Sequence, residues 1–242
     1  MEKINRLKNK FGRFNLDGYL IPKNDEFFSE YVPLHQDDLQ YISNFSGSYG
    51  LALILKKNNF LFVDGRYSIQ ASIESGKNFK IMPHPLLIKK NNFKIKNEKI
   101  GFDPRLFNEN FIKKFSNKLG IKCVAINTNL VKLIKEKKTH FKKKKNFYVL
   151  NDTVTGESCL SKIKNLRKYF LKKKIDIMLM TSPENIAWLL NIRGHDSDFS
   201  PLPNCYLLID KKMRIFLFCD LDKVNSKFEK KLNFIHIRKI NE

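Results

Sequence analysis

An internal repeat constrains the fold of this chain more than any other feature of its sequence. The segment YISNFSG (Tyr41–Gly47) matches WLLNIRG (Trp188–Gly194), with an aromatic residue, an Asn and a Gly at the same spacing. Two longer apolar segments match in the same order, namely LALILKKNNFLFVD (Leu51–Asp64) and CYLLIDKKMRIFLFCD (Cys205–Asp220), and upstream DGYLI matches DIMLM. A repeat of so long a period indicates two related domains rather than a solenoid of short units.

Alternating strand and helix patterns in both halves predict an α/β fold, in which each domain is a mixed sheet flanked by helices. In the first half, the pattern predicts strands at Asp17–Pro22, Leu51–Lys57, Asn59–Gly65 and Lys99–Pro104, and helices at Asp37–Phe45, Ser68–Gly76 and Phe107–Gly120. In the second half, it predicts helices at Glu157–Asp176 and Ser182–Ile192, followed by the strands CYLLIDKK and RIFLFCD.

A dense basic run, KEKKTHFKKKKNF (Lys135–Phe147), separates the two halves. Runs of like charge are most often solvated loops or linkers. We therefore predict a first domain over residues 1–134, a basic linker region over 135–156, and a second domain over 157–242 that is incomplete at its C-terminus.

The formal net charge of +22 makes polyanion binding a legitimate hypothesis, but the distribution of the charge argues against nucleic acid as a partner. The lysines are scattered among Asn, Ile and Phe over the whole chain instead of forming one patch. No apolar run reaches the length needed to span a bilayer, and the N-terminus has no apolar signal region. These features predict a cytoplasmic protein without a membrane partner.

Several long motifs in one order resemble the cytosolic-type aminopeptidase P family (Xaa-Pro aminopeptidases). DGYLIPKNDEFFSEYVP, LQYISNFSGSYGLALIL and FLFVDGRYSIQA resemble the first domain of that family, IGFDPRLF resembles its next element, and SPENIAWLLNIRGHDSDFSPLPNCYLLI resembles its second domain. The resemblance covers the chain from about Arg6 to Asp222 and implies two domains of the creatinase N-terminal type.

The resemblance also implies a third, pita-bread domain that carries two divalent metal ions, usually manganese, held by two Asp, one His and two Glu. This sequence has no such constellation, because its acidic residues are sparse and its five His are far apart. We therefore predict that the chain alone holds no metal cofactor, has no catalytic residues and is inactive. Its expected partners are a second copy, in a homodimer, or a C-terminal catalytic domain or half, with peptide as substrate only in the complete enzyme.

The stretch Asp64-Gly65-Arg66-Tyr67 follows a predicted buried strand and has two readings. In the structural reading, Asp64 caps the following helix and Arg66 pairs with a nearby carboxylate. In the functional reading, which rests on the family resemblance, Asp64, Arg66 and Tyr67 form a subunit-interface edge that approaches the active site of the partner subunit.

The loop RGHDSDFSPLP (Arg193–Pro203) carries the other candidates, Arg193, His195, Asp196 and Asp198. By resemblance it faces the third domain and contacts the substrate cleft. The alternative is an ordinary interdomain salt-bridge cluster. A metal site at His195, Asp196 and Asp198 is disfavoured, since adjacent residues rarely point at one ion.

Three functions are weighed on these observations. The favoured one is a non-catalytic N-terminal portion of a Xaa-Pro aminopeptidase that serves dimerisation and substrate access. The alternative is a stand-alone creatinase-like binding module for an acidic partner, which the charge of +22 would suit. A creatine or proline-dipeptide hydrolase is disfavoured, because those relatives have a single N-terminal domain. The only tryptophan, Trp188, is predicted to lie in the core.

Overall fold

The structure, a computed structural model, describes residues 1–87, 98–135 and 144–242. Contacts divide the chain into two units, Met1–Lys138 and Thr139–Glu242. Each unit has its own main sheet and its own hydrophobic core. Over the described ranges, no helix combines the length and the apolar character that crossing a bilayer requires.

The first unit contains most of the elements that its hydrophobic pattern predicts. Its helices are α1 (Glu2–Lys8), α2 (Asp38–Ser43), α3 (Ser68–Ser75) and α4 (Glu109–Leu119). Its strands are β1 (Gly18–Pro22), β2 (Leu51–Leu55), β3 (Asn59–Val63), β4 (Lys80–Pro83), β5 (Lys99–Phe102) and β6 (Lys122–Ala125). The predicted α/β class is therefore confirmed for this half of the chain.

The first sheet is mixed, with the strand order β4-β3-β2-β1-β5-β6. The strands β1, β2 and β3 pair antiparallel, whereas β4, β5 and β6 each pair parallel to a neighbour. Helices α1, α2 and α3 contribute to the core on one face, and α4 contributes to the core on the other. Because both faces are covered, β1 and β2 are buried throughout, which explains their continuous apolar sequences.

The second unit contains four helices and six strands within residues 144–242. Its helices are α5 (Asp152–Thr155), α6 (Cys159–Lys173), α7 (Pro183–Leu190) and α8 (Ser226–Lys231). Its strands are β7 (Tyr148–Val149), β8 (Ile177–Met180), β9 (Ile192–Arg193), β10 (Cys205–Asp210), β11 (Ile215–Cys219) and β12 (His236–Lys239).

The main sheet of the second unit has the order β12-β11-β10-β8, and β7 and β9 form a separate antiparallel pair. The strands β8, β10 and β11 pair antiparallel, and β12 pairs parallel to β11. One face of this sheet packs against α6, α7 and α8 in a single core cluster.

The two units share one topology, which confirms the repeat. The succession β1-α2-β2-β3-α3-β4 in the first unit corresponds to β8-α7-β10-β11-α8-β12 in the second, with the same strand neighbours and the same directions. The Asn of the repeated motif ends a helix in both units, with φ of 65° at Asn44 and 54° at Asn191. Asn tolerates this left-handed conformation better than most residues, which explains its presence in both copies.

The basic segment between the units is only partly described. Residues 136–143 lie outside the described part of the chain, whereas residues 144–156 belong to the second unit and include β7 and α5. Within this stretch, Phe147 is buried in the second core, and the Lys144 ammonium lies 2.8 Å from Asp220 and 2.6 Å from Asp222. The predicted linker over 135–156 stays a prediction, and its residues 136–143 lie outside the described part of the chain.

Candidate functional site

The Asp64–Tyr67 edge is a capped turn between β3 and α3. One Asp64 carboxylate oxygen accepts a hydrogen bond from the backbone N–H of Arg66 at 2.9 Å. The Arg66 guanidinium returns to the same carboxylate, with Nη2 at 2.7 Å from Oδ2. Tyr67 packs edge-on against Phe45 at 5.7 Å and its hydroxyl lies 2.8 Å from the Ser48 hydroxyl. The contacts of Asp64 and Arg66 are those that the structural reading describes.

The electrostatics of this edge follow from that pairing. Hydrogen bonding from the Arg66 guanidinium lowers the pKa of Asp64, and the carboxylate in turn raises the pKa of Arg66. Both groups therefore stay charged at neutral pH, and a neutral Asp64 that could donate a proton is not favoured here. Arg66 is exposed. A role for Asp64, Arg66 and Tyr67 at a subunit interface stays a prediction.

The same capping device occurs at two other strand ends, which weakens any special role for Asp64. Asp103 follows β5 and accepts the backbone N–H of Arg105, and Asp220 follows β11 and accepts the backbone N–H of Asp222. Asp103 also pairs with the guanidinium of Arg105 at 2.8 Å, as Asp64 does with Arg66. An Asp that ends a strand and begins a short helical turn is thus a recurrent structural solution in this chain.

Arg193 and Gly194 begin the second candidate region, the loop between β9 and β10. The Arg193 guanidinium donates to the carbonyls of Ile192 at 2.8 Å and Ala187 at 3.1 Å, so it helps to close the end of α7. A Cβ at Gly194 would lie 2.7 Å from the Cα of Pro203. The close approach of the two ends of the loop therefore requires Gly at this position.

Asp196 is the most constrained of the polar residues in this loop. Its side chain is 9% exposed, and its Oδ1 lies 2.6 Å from the Lys223 ammonium. Its Oδ2 accepts the backbone N–H of Asn204 at 2.7 Å. His195 is exposed and its ring packs 5.6 Å from that of Tyr148. Both partners of Asp196, Lys223 and Asn204, belong to the second unit, so these two contacts lie within one domain.

The loop residues do not fit a metal ion. Both oxygens of Asp196 already have partners, His195 packs on an aromatic ring, and Asp198 is exposed. Over the described ranges, no group of three or more His, Cys, Asp or Glu side chains has the arrangement of a metal site. A role of this loop in a substrate cleft stays a prediction.

The Asp196–Lys223 ion pair should stabilise the second unit measurably. We expect Asp196→Asn to lower the free energy of unfolding of this unit by about 2 kcal/mol, because it removes the nearer of the two carboxylates beside the largely buried Lys223 ammonium and leaves only Asp220, at 4.0 Å. Asp176→Asn is the matched control, since the Asp176–Lys211 pair is exposed on both sides, and we expect it to cost less than about 0.5 kcal/mol. Urea unfolding followed by tryptophan fluorescence measures both, and equal losses would contradict the expectation.

A second polar cluster surrounds Lys162 on α6, and it was not predicted from the sequence. This lysine is buried, and its ammonium donates to the Asn191 side-chain oxygen at 2.6 Å and to the Trp188 carbonyl at 2.8 Å. The ammonium also lies 4.4 Å from the centroid of the Trp188 ring. The prediction that Trp188 lies in the core is wrong, because its side chain is 60% exposed. The one sequence signal for this cluster is the repeated motif, which places an aromatic residue three positions before an Asn, here Trp188 and Asn191.

A surface cavity of about 290 Å³ lies beside this cluster. Its lining includes Asn191 and Cys159, together with Lys231 and Phe234 from the region of α8. Burial raises the pKa of the Cys159 thiol to about 11, so the thiol is protonated at neutral pH and is a poor nucleophile. The cavity is open to solvent, and its thiol is not an activated nucleophile.

Comparisons with known proteins agree with the two-unit architecture. Residues 3–134 and residues 138–242 each match a family described as the creatinase/prolidase N-terminal domain. The chain is 30% identical to Xaa-Pro aminopeptidase 1 of Dictyostelium discoideum over 96% of its own length, which is 39% of that protein. It is 31% identical to Xaa-Pro aminopeptidase app-1 of Caenorhabditis elegans over 86% of its length and 35% of that protein.

A solved structure of the X-prolyl aminopeptidase from Caenorhabditis elegans, described as a cytosolic enzyme with a di-nuclear active site, superposes on this chain with a TM-score of 0.89. The identity is 27%, and the match covers the whole of this chain and 42% of that one. The chain thus spans about two fifths of the length of these relatives and corresponds to their N-terminal portion. It belongs to the creatinase/prolidase N-terminal domain family and carries two copies of that domain.

Proposed function

We propose that this chain serves as the non-catalytic N-terminal portion of a Xaa-Pro aminopeptidase. The observation that supports this most is the match of both units, in order and over 96% of the chain, to the N-terminal part of a relative of that name. The donor chemistry of the described residues agrees with a non-catalytic role. The loop Arg193–Pro203 does not fit a metal ion, and Cys159 in the surface cavity is a protonated thiol.

In the proposed assembly, the two units mediate dimerisation and restrict the access of substrate. The loop residues Arg193, His195, Asp196 and Asp198 would contact the substrate cleft, and Asp64, Arg66 and Tyr67 would form the subunit-interface edge. The rigid anchoring of Asp196 on Lys223 and Asn204 supports a shaping role for this loop, because loops that form binding surfaces need a fixed frame.

The complete enzyme would remove an N-terminal residue that precedes Pro, in the cytoplasm. Two divalent metal ions, manganese by the family resemblance, would supply the hydrolytic chemistry when bound to a separate catalytic domain. This chain would position the substrate and restrict its access to the active site, since binding geometry can supply a large part of an enzyme's rate and selectivity.

The test joins this chain to a catalytic half. The polypeptide that follows the matched region in the Dictyostelium relative is fused after Glu242, and release of the N-terminal residue from a tripeptide with Pro second is measured with Mn²⁺. We expect release by the fusion and none by the chain alone. A tripeptide with Ala at the second position is the matched control. Hydrolysis by the chain alone would contradict the proposal, as would an inactive fusion beside an active intact relative.

The second candidate function is a binding module for an acidic partner, and the exposed surface of α6 favours it. This helix exposes a run of cations on its solvent side: Lys164, Arg167, Lys168, Lys172 and Lys173. Binding to an acidic peptide that weakens steeply with added salt, together with an inactive fusion, would support this candidate over the aminopeptidase.

A further inference from the structure

Within residues 144–242, no helix covers one face of the second sheet. Side chains alternate along β10 and β11, so that Leu207 and Leu217 enter the core under the helices while their neighbours point to the other face. At the edge strand β8, Ile177 and Leu179 are exposed, whereas Met178 and Met180 pack against the core. We call the face that carries Ile177 and Leu179 the open face.

The pairing registers show which positions of the first sheet correspond to the open face. In the first unit, cross-strand pairing connects residues of β3, β2 and β1 in that order. In the second unit, it connects residues of β11, β10 and β8 in the same way. Both β3 and β11 end before a capping Asp, which aligns the two series. The equivalent positions, first unit then second, are Phe60 and Phe216, Leu53 and Leu208, Leu20 and Leu179, and Phe62 and Phe218.

Three of these four equivalent pairs are more buried in the first unit than in the second, whereas Phe60 and Phe216 are both partly buried. Leu20 is 1% exposed, whereas Leu179 is 61% exposed. Phe62 is fully buried and packs edge-on against Phe115 of α4 at 6.3 Å, whereas Phe218 is only partly buried. The same sheet position is therefore a core position in the first unit and a surface position in the second.

The cover in the first unit is a strand followed by an amphipathic helix. Strand β5 pairs parallel to β1, with Gly18 opposite Ile100, and α4 then lays its apolar side on the sheet. The apolar residues of that helix are spaced as one side of a helix requires: Ile112, Phe115 and Leu119. In residues 144–242, no strand pairs with the outer edge of β8 and no helix corresponds to α4.

We infer that the open face and the free edge of β8 bind a strand–helix segment of the β5–α4 kind, with its strand parallel to β8 and the apolar side of its helix on Leu179, Leu208 and Phe218. A free edge next to an apolar face is suited to strand addition, because it offers backbone hydrogen bonds and side-chain contacts together. The part of the relatives that this chain does not match is a source for the segment. This chain spans 39% of the Dictyostelium relative, and the polypeptide beyond the matched region is the occupant to which we commit.

This inference rests on the proposed function only for the source of the segment, since the open face itself follows from the repeat. The test therefore needs no metal and no substrate. The polypeptide that follows the matched region in the Dictyostelium relative is purified as a separate chain and mixed with this chain. Calorimetry measures binding, and amide hydrogen exchange measures protection of Ile177–Met180. We expect a 1:1 complex in which these amides exchange more slowly while those of β12, at the opposite edge, are unchanged.

Substitution then distinguishes the open face from other apolar surface. We expect Leu179→Asp to weaken binding by about tenfold or more, because it places a charge in the buried contact. Leu171→Asp is the matched control, since Leu171 on α6 is also largely exposed but lies outside the open face, and it should leave the affinity unchanged. Circular dichroism verifies that both variants fold.

Three outcomes would overturn the inference: no binding, binding without protection of β8, or equal losses in the two variants. Protection of β8 in the chain alone, with a concentration-dependent dimer, would also overturn it by assigning the face to a second copy. Binding with protection but without hydrolysis in the fusion would contradict the proposed function and leave the open face supported. The two ideas therefore fail separately.

Discussion

Replacing Asn191 with Gly is expected to lower the free energy of unfolding of the second unit by about 4 kcal/mol. The side chain is buried and makes three hydrogen bonds. Its amide donates to the Thr155 hydroxyl at 3.0 Å and to the Glu157 carbonyl at 2.9 Å, and its oxygen accepts from the Lys162 ammonium at 2.6 Å. Removing the Asn191 side chain leaves a buried ammonium with one carbonyl partner, that of Trp188. The Thr155 hydroxyl and the Glu157 carbonyl each lose one hydrogen bond but keep the one between them, at 3.1 Å.

Glycine is the informative substitution because Asn191 has a φ of 54°, which Gly adopts without strain. Any loss therefore measures the side-chain contacts rather than the backbone. Asn44→Gly is the matched control. Asn44 occupies the same repeat position with a φ of 65°, but it is exposed. We therefore expect Asn44→Gly to change the free energy of unfolding of the first unit by less than about 0.5 kcal/mol.

Urea unfolding followed by the fluorescence of Trp188 reports on the second unit. Because two units can unfold in separate steps, amide exchange of each sheet assigns the loss to its unit. Similar effects of the two substitutions would contradict the expectation, because Asn44 has the same cap conformation but is exposed.

The fold was predictable where local pattern decides it. Strands such as β1 and β2 are continuous apolar runs that end at turn residues, and the repeat supplied their order in both halves. Neither α8 nor β12 was predicted from the sequence. The helix α8 buries one apolar residue, Phe228, and β12 is mostly exposed. Its strand conformation depends on parallel pairing with β11, which is a long-range interaction that no local pattern records.

The candidate sites were predictable in position but not in role. The charged loop after β9 was correctly singled out, yet the partner of Asp196 is Lys223, which lies far along the sequence among many other lysines. Lys162 likewise resembles its exposed neighbours on α6 until α7 covers it. Trp188 was assigned to the buried side of α7, but Ile186, Leu189 and Leu190 occupy that side. Which lysine is buried, and which aromatic residue is exposed, are decided by tertiary packing.

The second large effect is expected at Leu20, where we predict that Leu20→Ala lowers the free energy of unfolding of the first unit by about 3 kcal/mol. The side chain is fully buried on the face of the sheet that α4 covers. Truncating it removes apolar contacts and leaves a cavity, because close-packed neighbours relax only partly into the space.

Leu179→Ala is the matched control at the equivalent repeat position, and in the chain alone we expect it to cost less than about 0.5 kcal/mol because Leu179 is largely exposed. Urea unfolding with amide exchange on each sheet measures the two losses. If the inferred strand–helix segment covers the open face, the cost of Leu179→Ala should rise towards that of Leu20→Ala once the segment is bound, since both leucines are then core residues. Equal costs in the free chain would mean that Leu179 is already covered in solution, and the open face would not exist.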